Sequence, residues 1–234
     1  MLAILAADRN RLDASRTNRR RTPTATEGAA GRRHAQGGAG ASRGTRGEVR
    51  IIAGEWRRRR ITFPSLEGLR PTPDRVRETL FNWLGQDLAG WRCLDLFAGS
   101  GALGFEALSR GAARVVMVER DARACEALRA NARVLGGEKG IDERWELRGG
   151  DALEFLRRQS AHSPGGYDLV LLDPPFDAGV PSGLLELLPP LLAKHASVYV
   201  ESGTGFEAPA PWTVYRQARA GQVHFQLMRW EAAW

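Results

Sequence analysis

Cys93-Leu94-Asp95-Leu96-Phe97-Ala98-Gly99-Ser100-Gly101-Ala102-Leu103-Gly104 is a short apolar run that breaks into glycines and continues as a helical pattern, so it reads as strand, tight turn and helix. Glycine at such a turn permits positive φ and a close approach of backbone to a ligand, the use made of it in nucleotide-binding α/β folds. On either side the same alternation recurs. Apolar runs and helical periodicity predict strand 92–97, helix 101–110, strand 114–119, helix 121–135, strand 145–149, helix 152–158, strand 167–173, helix 182–193 and strand 197–202. Strands alternating with helices build a mostly parallel, doubly wound α/β sheet. The last stretch departs from this pattern: Trp212 to Arg219 and Val223 to Trp230 are β-rich runs separated by Ala220-Gly221-Gln222, which predicts a closing antiparallel hairpin.

Gly99, Gly101 and Gly104 fit G-x-G-x-x-G literally, so a nicotinamide-dependent oxidoreductase enters consideration. Asp95 argues against it. A carboxylate just before the glycine turn repels a pyrophosphate but receives an ammonium group, directly or through water. The next predicted strand ends in Glu119, placed to accept from two ribose hydroxyls, and Asp151 follows the run Trp145 to Arg148, placed to receive an adenine amine. S-adenosylmethionine carries an ammonium, a ribose diol, an adenine and a sulfonium, and no phosphate. The acids match it group by group. Taken singly, each acid also reads as a helix N-cap or a solvated loop carboxylate, and Asp121 and Asp151 both stand where helices begin. Asp95, Glu119, Asp151 and Asp173, at successive strand ends, together favour a Rossmann-like methyltransferase, whose sheet is finished by such a hairpin. Ligands bind such sheets at the carboxyl ends of the strands.

Asp173-Pro174-Pro175-Phe176 ends the apolar run Tyr167 to Leu172 with an acid, two stiff prolines and an aromatic ring. Proline fixes its own φ and restricts the residue before it, so Asp173 and the carbonyl of Pro174 are presented in one geometry. Both accept hydrogen bonds. An exocyclic amine between them donates two protons and turns its lone pair toward an electrophile, while Phe176 offers a stacking face. The plainer alternative is a strand ending at a turn. An adenine-N6 methyltransferase acting on DNA or RNA shares this logic, but the chain is too short for a separate DNA-reading domain. A nicotinamide enzyme would need a Tyr-Lys or His constellation, and the four histidines (His34, His162, His195, His224) are scattered. A non-catalytic RNA-binding protein would have no use for all four acids.

A chain of 234 residues with 43% apolar content can bury one sizeable core. Its charge is uneven: residues 1–60 hold 15 arginines and five acids, whereas residues 61–234 hold 19 basic and 22 acidic residues. A basic extension on a near-neutral domain predicts a polyanionic partner. Residues 1–47 have almost no large apolar residue after Leu12, which predicts a disordered basic extension; a transit peptide and an upstream start codon would look alike. The opening Leu-Ala-Ile-Leu-Ala-Ala is too short to be a signal-peptide core or to span a membrane. Cys93 and Cys125, with no Cys/His cluster of metal-ligand spacing, predict a reduced, cytoplasmic protein without zinc. From Glu48, Val49-Arg50-Ile51-Ile52 and Ile61-Thr62-Phe63 predict a β-hairpin with Arg50 and Arg57 to Arg60 along a ridge beside Trp56, suited to phosphate contact and base stacking. Thr72 is expected to cap a helix with Pro73 at its first position, Val76, Leu80 and Trp83 or Leu84 as its apolar stripe, and Arg75, Arg77, Glu78 and Asn82 on its other faces.

From about Val49 to Ala232 the chain resembles the bacterial small-subunit rRNA guanine-N2 methyltransferases of the RsmD type. The resemblance rests on Arg50-Ile51-Ile52-Ala53-Gly54-Glu55-Trp56, on Leu69-Arg70-Pro71-Thr72-Pro73-Asp74-Arg75-Val76-Arg77-Glu78-Thr79-Leu80-Phe81-Asn82-Trp83-Leu84, on Asp95 to Leu108, on Asp173 to Phe176 and on Tyr199-Val200-Glu201. Residues 1–47 match nothing in the family, and Ala53-Gly54 stands where the family has Gly-Gly. The resemblance implies a class I fold and methyl transfer from S-adenosylmethionine to the exocyclic N2 of guanine 966 of 16S rRNA. It further implies a monomer acting on the small subunit or a late assembly intermediate. Residues 48–85 are then an RNA-binding segment and cofactor-site lid, and residues 86–234 the catalytic domain. The expected catalytic set is Asp173, Pro174, Pro175 and Phe176. The expected cofactor set is Thr72, Arg77, Asp95, Phe97, Gly99, Ser100, Gly101, Glu119, Arg120, Asp151 and Ala152, and the expected RNA contacts are Arg50, Trp56, Arg57, Arg58, Arg59, Arg60 and Arg75.

Overall fold

The computed structural model describes residues 46–137, 143–159, 166–175 and 177–231. The expected extension falls outside them except at its end, where Arg46 and Gly47 belong to the first strand. That strand, β1 (Arg46–Arg50), pairs antiparallel with β2 (Arg60–Pro64), and helix α1 (Asp74–Trp83) follows. Then come β3 (Arg92–Asp95), α2 (Ala102–Ser109), β4 (Arg114–Glu119), α3 (Ala122–Gly136), β5 (Trp145–Gly149), α4 (Ala152–Arg158) and β6 (Tyr167–Leu172). Strands β7 (Leu192–Ser202), β8 (Trp212–Ala220) and β9 (Val223–Trp230) complete the chain. The seven-stranded sheet runs β5-β4-β3-β6-β7-β9-β8, parallel through β7 and antiparallel at β9 and β8. This is the doubly wound sheet with a closing hairpin that the sequence predicts. Its order reverses between β3 and β6, the switch point where ligands bind.

One prediction fails. Residues 182–193 form no α-helix but two short 3₁₀ turns, Leu185–Leu187 and Pro189–Leu191, after which β7 begins earlier than expected. Pro189 and Pro190 lack amide protons, so neither can donate the bond that would continue an α-helix through them. The leucines nevertheless keep their burial: Leu184, Leu185, Leu188 and Leu191 cover one face of the sheet.

Successive strand residues alternate between the faces. Along β6, Leu169 and Leu171 join a core with α1, α2, α3 and the β1–β2 hairpin, whereas Val170 and Leu172 join one with α4 and the 3₁₀ turns. Full burial of each such side chain contributes about 1.5–3 kcal/mol. The hairpin shares this core through Val49, Ile51, Ile61 and Phe63.

A buried carboxylate fixes the hairpin to the sheet. Glu106 of α2 is fully buried; its Oε2 accepts from the Ile52 amide at 2.8 Å and from Arg77 at 3.2 Å, and its Oε1 from the Ala53 amide at 3.0 Å and from Arg110 at 2.8 Å. Ser109 extends the seam: its carbonyl accepts from the Glu55 amide at 2.7 Å, and its hydroxyl accepts from the Trp56 amide at 2.9 Å. Gly54 is required here, because at φ 79 a Cβ would stand 1.8 Å from the Ser109 carbonyl oxygen. Arg77, expected on an outer face of α1, is instead fully buried between Glu106, Asp74 and the carbonyls of Thr72 and Arg50.

Glu106→Ala would leave two guanidinium groups without their buried partner and should cost about 3–5 kcal/mol. Urea unfolding measures it; a loss below about 1 kcal/mol would mean that the seam does not hold the hairpin.

Candidate active site

The carboxyl ends of β3, β4, β5 and β6 surround a cavity of about 250 Å³. Asp95, Glu119, Asp151 and Asp173 all line it, so the four acidic strand ends converge as the sequence predicts. So do Phe97, Gly99, Ser100, Arg120, Ala152 and Thr72 of the expected cofactor set, and Pro174 and Pro175 of the expected catalytic set. Phe176 lies outside the described residues. Two expected cofactor contacts do not line the cavity. Arg77 is committed to Glu106 and Asp74, and Gly101 is a packing glycine, since a Cβ there would stand 2.6 Å from Leu128 and Phe105.

Each acid is held differently. Both carboxylate oxygens of Asp95 are buried without a hydrogen-bond partner. Burial first, and then the charge of Asp173, push its pKa up to about 7, with the nearby Phe97 and Gly104 amides tempering the rise. A buried carboxylate in this state calls for a cation. Glu119 accepts from the Gly99 amide at 2.8 Å and the Asp121 amide at 2.7 Å, so it braces the glycine turn from the neighbouring strand. A carboxylate has about four lone-pair sites, so Glu119 retains capacity for hydroxyl donors. Asp151 and Asp121 cap their helices, as their positions suggest: one oxygen of Asp151 accepts from Leu153 and Glu154, and one of Asp121 from Arg123 and Ala124.

Asp173 sits beyond the end of β6. The sequence gives Thr72 the role of capping α1, but the structure places Pro73 at the cap with no side-chain cap bond. Thr72 instead donates its hydroxyl to Asp173 Oδ2 at 2.9 Å. Burial raises the pKa of Asp173 and the Thr72 hydroxyl lowers it, with burial winning. Behind it stands Glu201 of β7, only 2% exposed and receiving a hydrogen bond from the Tyr199 hydroxyl at 2.9 Å. Its pKa is pushed up by burial and then by the charge of Asp173. Sequence reading gave Glu201 no role outside the Tyr199-Val200-Glu201 motif. The segment Leu66 to Arg70, expected only as part of a lid over residues 48–85 and with no residue of its own in the cofactor set, also lines the cavity.

The expected RNA contacts divide. Trp56 is buried, 3% exposed, with its ring in the core, which removes it as a stacking surface. Arg59 donates to the Val134 and Leu135 carbonyls near the end of α3, so it serves that helix terminus. Arg60 pairs with Glu48 at 2.8 Å and Arg50 with Asp74 at 3.0 Å, while Arg57, Arg58 and Arg75 stand exposed. Among the described residues no helix is long and apolar enough to cross a membrane, and no cluster of His, Cys, Asp or Glu could hold a metal ion.

The family model described as Conserved hypothetical protein 95 matches residues 49–229. The chain is 41% identical over 193 residues to ribosomal RNA small subunit methyltransferase D of Escherichia coli K12, covering 80% of this chain and 92% of that protein. It is 42% identical over 186 residues to the Haemophilus influenzae protein of the same name, covering 78% and 94%. Its fold matches the solved structure of the Escherichia coli methyltransferase yhhF with a TM-score of 0.65 at 40% identity, covering 80% of this chain and 99% of that one. These matches take in the hairpin, the acid-lined cavity and the closing strands together, and the chain belongs to the RsmD family of ribosomal RNA small subunit methyltransferases.

Proposed function

We propose that this chain methylates the exocyclic N2 of guanine 966 in 16S rRNA, acting as a cytoplasmic monomer on the small ribosomal subunit or a late assembly intermediate. Membership of the family makes it an S-adenosylmethionine-dependent rRNA methyltransferase; the nucleotide, the particle and the residue roles are our reading. The observation that carries this reading is the convergence of a partnerless buried acid, Asp95, with Asp173-Pro174 in one cavity at the switch point.

Asp95 would receive the ammonium of S-adenosylmethionine, Glu119 the ribose and Asp151 the adenine. The fit rests on Asp95, whose buried oxygens make no well-formed hydrogen bond within the protein and have only the Phe97 and Gly104 amides nearby. When bound, S-adenosylmethionine supplies an electrophilic methyl on a sulfonium. The residues of the chain do the positioning. The Asp173 carboxylate and the Pro174 carbonyl accept the two protons of the target amine and so direct its lone pair into the cavity. Guanine N2 is conjugated and weakly nucleophilic, so acceptors on its protons matter most as positive charge develops on nitrogen. Asp173, open to the cavity, also stands where the departing proton can be taken. The base reaches it only when unstacked or flipped, and Phe176 is the proposed stacking partner. Residues 48–85 contribute both roles assigned to them: Thr72 and the Leu66 to Arg70 segment roof the cavity, and the exposed arginines grip phosphate. The competing adenine-N6 reading uses the same acceptors and differs only in the base.

Tritiated methyl transfer to small subunits from a strain lacking this enzyme, followed by nucleoside mapping, should place the label on N2-methylguanosine. Label on adenosine would refute the guanine assignment. In that assay Asp173→Ala should lower kcat by at least about 100-fold while S-adenosylmethionine affinity stays within a few-fold. Comparable losses of kcat and affinity would move Asp173 into the cofactor site.

Asp95 titrates at about 3.9 when unfolded and at about 7 in the folded protein. Between those values the folded state holds the extra proton, so this acid lowers stability as pH rises through the window, by at most about 1.4 kcal/mol per pH unit. Asp95→Asn should flatten that decline in the cofactor-free protein and weaken S-adenosylmethionine binding. Thermal unfolding at pH 5 and pH 7.5 reads the first and calorimetry the second; an unchanged slope would mean that Asp95 is already ionised and partnered.

Because Arg59 and Arg60 have partners within the fold, the test of RNA contact belongs to Arg57 and Arg58. Their joint replacement by alanine should raise KM for the subunit and reduce the salt slope by about one for each phosphate no longer neutralised. Unaltered KM and slope would move RNA binding to another part of the surface.

A further inference from the structure

Glu201 has no role in the chemistry described so far, yet it is a buried acid beside the reacting end of the site. The parallel register pairs Leu172 with Val200, which carries Glu201 alongside Asp173 one residue further on. Its neighbours are few and known. Tyr199 on the same strand donates to Oε2 at 2.9 Å. The Thr72 hydroxyl, which donates to Asp173 Oδ2 at 2.9 Å, is shared with the Glu201 carboxyl, where its hydrogen bond works against the rise in the Glu201 pKa. The adjacent strand β9 places Phe225 opposite it. Asp95 faces Asp173 from β3, and Arg77, bonded to the Thr72 carbonyl, is engaged by Asp74 and Glu106. Among the described residues no arginine or lysine pairs with Glu201.

Resting on the methyltransferase reading above, we propose that Glu201 is a positioning residue for Asp173: buried and proton-bearing, it donates to the Thr72 hydroxyl, which is thereby turned to donate to the Asp173 carboxylate. Each proton in this chain then has its own acceptor, in the order Tyr199 to Glu201, Glu201 to Thr72, Thr72 to Asp173. The opposite placement would put the proton on Asp173 and turn Thr72 toward Glu201, leaving the acid at the cavity a donor where the amine needs an acceptor. Two carboxyls this close in a desolvated setting do not both ionise. Of the two, Glu201 is the deeper and Asp173 the one open to the cavity, so the charge resides on Asp173 and the proton on Glu201. Burial and the Asp173 charge hold Glu201 up to about 8 against the opposing hydrogen bonds from Tyr199 and Thr72, and Asp173 is held up to about 7, so the order of the two agrees. Glu201 thereby keeps Asp173 anionic, oriented and free to accept from the target amine. Above its titration point a second charge forms behind Asp173, Thr72 loses its donor, and the acceptor is no longer held.

The test compares Glu201→Gln, which keeps a neutral donor, with Glu201→Ala, which removes it, against the unaltered protein. In methyl transfer to small subunits at saturating S-adenosylmethionine, unaltered kcat should fall about tenfold between pH 7 and pH 9 as Glu201 ionises. The Gln variant should lose about two- to fivefold at pH 7 but lack the alkaline fall, and should exceed the Ala variant at least about fivefold. A second readout needs neither cofactor nor RNA. Glu201 titrates near 4.3 when unfolded, so its raised folded value lowers stability as pH climbs from about 4.3 to 8, and Glu201→Gln should remove that part of the thermal decline. An alkaline limb that persists in the Gln variant, Gln and Ala variants equally impaired, or an unchanged thermal slope would each overturn the proposal. Absence of methyl transfer by the unaltered protein would instead overturn the functional reading and leave the thermal test of Glu201 to be decided on its own.

Discussion

The carboxylate of Glu106 is the interaction on which the working parts of this molecule depend. It takes four donors on two oxygens with no exposure to solvent, and the donors come from the hairpin turn, from α1 and from its own helix. A buried ion of this kind is weak evidence for stability by itself, because its desolvation offsets much of the attraction. Its value here is in connection. Arg77, held by Glu106, also donates to the carbonyl of Thr72 at 3.1 Å, and Thr72 donates to Asp173 at 2.9 Å. A continuous polar path therefore runs from the hairpin to the acid proposed to meet the target base. The segment that carries the exposed arginines and the segment proposed to carry the chemistry are set relative to one another by hydrogen bonds as well as by packing.

The opposite condition holds at the cavity. Glu106 has every lone pair engaged, whereas Asp95 makes no well-formed hydrogen bond, and Asp95, Asp173 and Glu201 all have raised pKa values because burial has removed water without supplying cations. Folding alone would not select this arrangement. Places where local rules are broken at a cost are expected at functional sites, and this cluster of buried acids without cations is such a place. A ligand carrying an ammonium, and a substrate carrying an amine, would complete what the chain leaves incomplete.

The parallel sheet was legible because βα alternation and the terminal hairpin leave a strong periodic signal, and the acids were legible because each stands at a strand end. The sequence could not show which side chains would be used for packing. Trp56 and Arg59, close together in a basic run, read as a stacking and phosphate surface, yet one is in the core and the other serves a helix end. Arg77 read as an outer-face residue because its partner Glu106 lies 29 positions away, beyond any local pattern. Thr72 stood beside a helix start and read as a cap, but a carboxylate 101 residues further on claims its hydroxyl. The helix expected over residues 182–193 fails on a local signal, because Pro189-Pro190 stand within the leucine-rich run and break its helical hydrogen bonding. Glu201 falls between these cases: its motif was visible, but its place beside Asp173 is a matter of strand register.

Register also explains how one sheet edge can keep cofactor recognition and base recognition apart. In β3 and β6, Asp95 is paired with Leu171, so Asp173 lies two residues further along. At a rise of about 3.3 Å per residue that is roughly 6–7 Å beyond Asp95 on the same face of the sheet. Asp95 is thus the more enclosed of the two, as suits the cation proposed for it, and Asp173 lies further out, where the proposed target base would arrive. Pro174 and Pro175 stiffen the chain just where it leaves the sheet and loses the support of the ladder. The same spacing puts Tyr199 beside Leu171 and Glu201 beside the Asp173 position, so the outer acid, lacking a neighbour on β3, is supported from β7 instead. A sheet of fixed hand and spacing therefore supplies two depths of acid with separate supports. The roles proposed for Asp95 and Asp173 follow from that difference in depth, because residue type alone makes them identical.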